Sequence, residues 1–251
     1  MNRIHLPLLV LGLLSFFARD AEALCMATSV SAVILTPLDA PVPADGALLA
    51  SVLYGGERGG VQVTYGQPGE FTLPALALVT RTRRIGVSQR PLPGGLLLLT
   101  FDTPPPAGRY TLEGFSGPSA PAPSVTIGGT LPPAPSAPQL ASVDHSVRYE
   151  TYQGPRGSGR LTIWETEVTF REALPAGLAF VVLRTVGSTQ DLQFFEARSG
   201  TDLHEGGTLG GRCAMGFVEG RGMVTERAQV EAVVIDHFGR MSAPSAPVRV
   251  R

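Results

Sequence analysis

Apolar residues in this chain come in short runs cut apart by Gly- and Pro-rich segments, and no run keeps a helical period. In the first half the runs cover residues 29–35, 47–54, 61–65, 71–79, 96–101 and 109–115. Their separators are Pro41-Val-Pro-Ala-Asp-Gly46, Gly55-Gly-Glu-Arg-Gly-Gly60, Gln67-Pro-Gly69, Pro91-Leu-Pro-Gly-Gly95 and Pro104-Pro-Pro-Ala-Gly108. The second half repeats the pattern at 146–152, 160–170, 177–186, 192–198, 212–218, 228–236 and 247–251. Strands at this spacing, with no room for crossover helices, predict antiparallel β-sandwiches. Val230, Ala232 and Val234 alternate with Val233 and Ile235, so this strand is apolar on both faces and is expected in the middle of a sheet. Glu165-Thr-Glu-Val-Thr-Phe170 alternates instead, as a half-exposed strand does.

Between the halves lies a Pro-rich segment. Val125-Thr-Ile127 reads as the last strand of a first domain, and Leu131-Pro-Pro-Ala-Pro-Ser-Ala-Pro-Gln139 as a semi-rigid extended linker. The division expected is residues 1–23, 24–130, 131–139 and 140–251, and a cut within 132–138 is expected to release two folded halves.

The first 23 residues read as a secretory signal peptide: Arg3, an apolar stretch over 6–17, and the small-x-small site Ala21-Glu22-Ala23. Cleavage after Ala23 leaves 251 − 23 = 228 residues, starting at Leu24, in the periplasm or outside the cell. The apolar stretch is shorter than the roughly 20 residues of a membrane span, and no later segment qualifies. Cys25 and Cys213 would then meet an oxidising compartment, and a Cys25–Cys213 bridge is the expected outcome. An intermolecular bridge through Cys25 and two unpaired thiols remain as alternatives. Lipidation of Cys25 is disfavoured because Leu24 stands where a lipoprotein signal has a small residue.

Composition adds exclusions. Thirty Gly and 22 Pro oppose long helices. A net charge of −1 with 16% charged residues supplies no field for a polyanion, so nucleic acid is not an expected partner. The chain has no lysine, and its only asparagine is Asn2, so the mature chain has no Schiff-base lysine and no Asn-linked glycan.

Two stretches carry a family resemblance. Ala232-Val-Val-Ile-Asp-His-Phe-Gly239 followed by Ser242-Ala-Pro-Ser-Ala-Pro247 and Val248-Arg-Val250 resembles the last two strands of fibronectin-III-like bacterial modules. Thr36-Pro-Leu-Asp-Ala-Pro-Val-Pro-Ala-Asp-Gly46, with Pro105-Pro-Ala-Gly-Arg-Tyr-Thr-Leu112, is similar to bacterial Ig-like modules. The resemblance implies tandem sandwiches, Ig-like then fibronectin-III-like. It implies spacing, adhesion or ligand presentation, and it transfers no catalytic residues.

Candidate chemistry is sparse. After loss of His5, the histidines His145, His204 and His237 each adjoin a carboxylate. Neighbours in a strand point to opposite faces, and no chelating spacing occurs, so a turn carboxylate capping backbone amides is the better reading of Asp236-His237. Gly157-Ser158-Gly159 lacks a nucleophile elbow and reads as a hairpin tip. The segment Gly206-Gly207-Thr-Leu-Gly210-Gly211 reads as a mobile loop, with a binding role as the alternative. Arg81, Arg83 and Arg84, near Arg90, form the one basic cluster, either a solvated edge strand or a binding surface. Trp164 is expected to be buried on an inner face.

The expectation is therefore a non-enzymatic structural or binding module with no metal or other cofactor and a protein or cell-envelope partner. The alternative is an extracytoplasmic enzyme or metal-binding protein using His145, His204 and His237.

Overall fold

The computed structural model describes residues 30–54, 61–62, 64–65, 71–72, 74–92, 96–115, 121–154, 157–188, 192–209 and 226–251. They are all-β: the regular elements are strands in antiparallel sheets, and no helix among them is long and apolar enough to cross a membrane. The first 29 residues, Cys213 and the run 212–218 lie outside the described residues, and with them the signal peptide and the Cys25–Cys213 pairing.

In chain order the N-terminal strands are β1 (Val30–Ile34), β2 (Ala47–Tyr54), β3 (Val61–Gln62), β4 (Thr64–Tyr65), β5 (Phe71–Thr72), β6 (Leu76–Val79), β7 (Arg84–Leu92), β8 (Leu96–Phe101), β9 (Gly108–Glu113) and β10 (Ser124–Ile127). Eight of them form one sheet in the order β10-β9-β6-β7-β8-β2-β1-β3, and β4 pairs with β5. If that sheet were flat, β10 and β2, five places apart, would be separated by about 24 Å. Yet Val125 and Ile127 of β10 share one buried cluster with Leu48 and Ala50 of β2, together with Leu78, Leu99 and Leu112. The sheet must fold over on itself. β7 makes the bend, pairing through residues 84–87 with β6 and through 87–92 with β8. Val42 closes the other side with a parallel bridge to Ile127.

β7 falls where the sequence reads as a basic cluster, taken as a solvated edge strand or a binding surface, and then a turn, yet it lies inside the sheet between β6 and β8. Only Ile85 and Val87 are buried in it, and Pro91 sits where β7 has left β6 and pairs on one side alone, which a residue without an N–H tolerates.

The C-terminal strands are β11 (Leu140–Gly154), β12 (Gly157–Phe170), β13 (Leu178–Thr185), β14 (Leu192–Glu196), β15 (Asp202–Leu209), β16 (Gln229–Asp236) and β17 (Val248–Arg249). They make a three-stranded sheet, β11-β12-β15, and a four-stranded one, β14-β13-β16-β17. Val143, Val168 and Phe170 of the first meet Val181, Leu183, Phe195, Ala232 and Val234 of the second in a common core. Trp164 is buried as well, at 8% exposure. β16 has a strand on each side, as its two-sided apolar pattern requires. β11 and β12 form one long hairpin whose register closes at Gly154 and Gly157.

The segment read as a mobile loop is a strand in its first part. Residues 202–209 pair with β12 along their whole length, Gly206 and Gly207 included, because β12 supplies the hydrogen bonds that a glycine pair cannot arrange locally. After Met241, the Ser/Pro segment flanks β16 without forming a ladder. The amides of Ala232 and Val234 donate to the hydroxyls of Ser245 (2.9 Å) and Ser242 (3.1 Å), so serine side chains serve where intervening prolines break a regular strand.

A third apolar cluster joins the two halves. The outward side chains of β2 and β8, Leu49 and Leu96, pack against Ala179, Val182, Leu192, Phe194 and Ile235 on the outward face of the four-stranded sheet. Phe180 and Phe194 meet edge to face there, with ring centroids 6.3 Å apart. The 131–139 segment is tethered rather than a loose spacer, since Pro132 O and Pro133 O accept hydrogen bonds from Arg240. This alters what cutting the linker should do. With a specific protease site placed within residues 134–137, the nicked chain is expected to elute from gel filtration as one particle under reducing conditions. Two separately eluting fragments would show that the shared cluster does not hold the halves together.

Candidate functional site

A set of partly buried polar contacts lies where β16 runs out at the junction of the halves. Asp236 ends the strand, and its carboxylate organises the turn: Oδ1 accepts from the amides of Phe238 and Arg240, each at 2.9 Å, and Oδ2 accepts from Arg240 Nε at 2.7 Å. This is the turn carboxylate that the sequence suggests. The turn closes with Gly239 N donating to Asp236 O at 2.9 Å and Asp236 N to Arg240 O at 3.0 Å.

What the sequence does not reveal is that this turn is a latch. Phe238 packs on the N-terminal core. Gly239 has φ +73°, a conformation that favours glycine, and it lies against the tip of the Leu98 side chain on β8, which a Cβ would have to displace. Arg240 stretches from Asp236 to Pro132 O (2.6 Å) and Pro133 O (3.1 Å), with its guanidinium 5.9 Å from the Phe238 ring centroid. From the other half, the amide of Leu49 donates to Thr36 Oγ1 at 2.7 Å, and that hydroxyl donates to His237 O at 2.7 Å. Thr36 and Arg240 carry no sequence signal, because each acts on backbone atoms about 100 or 200 positions away.

Beside the latch is a cavity of about 500 Å³ lined by prolines, among them Pro37, Pro41 and Pro175, with His237 and Arg240. His237 Nδ1 is buried and has no hydrogen-bond partner among the described residues. Thr36, Asp236 and Arg240 are already engaged with one another's segments, so the cleft presents an apolar wall and no nucleophile paired with a base.

The three histidines do not converge. His145 is buried in the C-terminal half, His204 is exposed on β15 opposite Glu167, and His237 lies in the junction turn. No group of three or more His, Cys, Asp or Glu side chains among the described residues is placed to hold a metal ion.

His145 belongs to a buried polar chain. Its Nδ1 is 2.8 Å from Thr166 Oγ1, which donates to Gln193 Oε1 at 3.2 Å across the two sheets, while Gln193 Nε2 has no partner among the described residues. With the single Thr166 proton directed to Gln193, His145 Nδ1 is the donor in the first bond. Burial penalises the imidazolium and holds His145 below the ordinary histidine value of 6.5, against a smaller opposing pull from Glu226.

The basic cluster is a hairpin tip, not an edge strand. Thr80 Oγ1 accepts from the amides of Thr82 (3.3 Å) and Arg83 (3.1 Å), turning the chain between β6 and β7, which both lie inside the sheet order. Arg81 and Arg83 are exposed there, and Arg84 is paired with Glu113 on β9 at 2.6 Å.

No protein-family model matches this chain, and no curated protein matches it.

Two outcomes follow. Replacing Thr166 with Val should lower the unfolding free energy by about 1–3 kcal/mol in denaturant titrations, because His145 and Gln193 each lose a buried partner. The folded state resists protonating His145 while the unfolded chain protonates near 6.5, so stability should be full above that pH and fall below it. Melting temperatures of the wild type and His145→Asn between pH 8 and 5 check this. A wild-type loss no steeper than the variant's would exclude His145 as its source.

Proposed function

We propose that the chain is an exported, non-enzymatic module of the cell envelope, built of an Ig-like and a fibronectin-III-like β-sandwich held face to face. The apolar cluster between the halves carries the reading: a sheet face spent on fixing two units together suits a rigid presenting scaffold. The strand orders support the two assignments. The order β11-β12-β15 against β14-β13-β16-β17 is a seven-stranded arrangement of three and four. In the N-terminal half, Tyr110 near the start of β9 donates its hydroxyl to Pro106 O at 2.9 Å, four residues back, the geometry of the tyrosine corner of such sandwiches.

The chemistry points the same way. Asp236, Arg240 and Thr36 are engaged in holding the turn and the junction, and the apolar cleft beside them lacks the convergent polar groups that an enzyme of the alternative kind needs. Arg81 and Arg83 at the β6–β7 tip are the surface offered to an acidic partner.

Export predicts that protein recovered from outside the cytoplasm begins at Leu24 by intact mass. A precursor that keeps residues 1–23 inside the cell would overturn it. The binding surface predicts one discrete higher-mass adduct when a photo-crosslinking residue replaces Arg81 or Arg83, and adducts arising only from other positions would move the surface elsewhere.

A further inference from the structure

The cleft beside the latch is held open by its own walls. Segments 36–41, 132–136, 175–178 and 236–240 line it, and the first three are each bonded to the last: Thr36 Oγ1 donates to His237 O at 2.7 Å, Arg240 donates to Pro132 O and Pro133 O, and His237 N donates to Gly177 O at 3.3 Å. With its walls pinned in this way the cleft keeps a volume of about 500 Å³, inside the ~300–1,000 Å³ of small-molecule sites. Burial of its apolar lining favours an apolar occupant.

The lining sets the chemistry of that occupant. Pro37, Pro41, Pro133, Pro135 and Pro175 bring ring C–H groups and no N–H, so these walls suit the face of a flat apolar ring, whose negative π-face is attracted to C–H groups. The two charged residues of the lining neutralise each other, with Arg240 Nε 2.7 Å from Asp236 Oδ2, and Asp236 Oδ1 is taken by two backbone amides. A charged ligand would therefore lose its water without gaining a counter-ion.

One polar group remains to orient a ligand. His237 Nδ1 is sealed from water and has no partner among the described residues, whereas Nε2 is neither bonded to a described group nor sealed. A proton on Nδ1 would be a buried donor without an acceptor, so the neutral ring carries its proton on Nε2 and presents an N–H donor on its accessible side.

We propose that this cleft binds a small uncharged aromatic molecule bearing a hydrogen-bond acceptor, its ring against the prolines and its acceptor on His237 Nε2–H. The site is separate from the Arg81 and Arg83 tip and does not depend on what that tip binds.

Titration of the purified protein with coumarin, a neutral bicyclic aromatic lactone, followed by NMR, tests this. Saturable one-to-one binding below millimolar concentration is expected, with coumarin-3-carboxylate at least about tenfold weaker. His237→Phe keeps a flat ring and removes the N–H, and should weaken coumarin about threefold to tenfold. Ala134→Trp, which sets an indole into the cleft from the exposed 132–136 segment, should abolish binding. The nitrogen spectrum of the wild-type His237 ring gives a readout that needs no variant: Nδ1 unprotonated, and an Nε2 signal that moves as coumarin is added. No binding up to millimolar coumarin, equal binding of the carboxylate, affinity unchanged in either variant, or a proton on Nδ1 overturns the proposal.

Discussion

Strands that are apolar on both faces cannot leave either face to water, and the architecture answers that constraint. Leu96 to Leu99 are four consecutive leucines on β8, and β2 beside it carries Leu48 and Leu49 on opposite faces. One face fills the N-terminal core. The other needs a second apolar sheet, and the four-stranded C-terminal sheet has the matching requirement, with Val181 and Leu183 turned one way and Val182 the other. Each sheet satisfies the other's exposed face, so the two halves are joined by burial of the same kind that builds their cores.

The remaining junction features are consequences of that contact. Once the sheets meet, the turn after β16 lies against β8, with Gly239 at positive φ beside the Leu98 side chain. Asp236 then has two tasks, capping the turn amides and holding the Arg240 guanidinium, which ties the 131–139 segment through the carbonyls of Pro132 and Pro133. Prolines bring no N–H to a sheet ladder but keep their carbonyls free as acceptors, and an arginine with five donors in a planar fork suits such a row. The Pro-rich segment therefore works as a docking strip for Arg240 as well as a connection.

Polar groups inside the protein serve cohesion. The chain from His145 through Thr166 to Gln193 crosses between the two C-terminal sheets, and the relay from Leu49 through Thr36 to His237 crosses between the halves. Each crossing bond is directional where the surrounding leucines and valines are not, so it sets the register of faces that apolar contact alone would let slide. Bonds of this kind engage these groups in holding the sheets and the halves together.

What the sequence alone determined is the β class, the boundaries of β2 and β8, the central place of β16, the burial of Trp164 and the turn at Asp236. All of these follow from local periodicity and turn chemistry. Only the tertiary structure decided that β15 is a strand, because the Gly206-Gly207 pair opposes one locally while β12 supplies the missing hydrogen bonds, and that β7, whose charges suggest a solvated edge, lies inside the sheet between β6 and β8. It alone placed the arginine cluster on a hairpin tip, separated the three histidines and matched the outer faces of the two halves. The physical reason is separation along the chain: a run apolar on both faces announces that something must cover it, but which of the distant faces does so depends on how the folded surfaces meet.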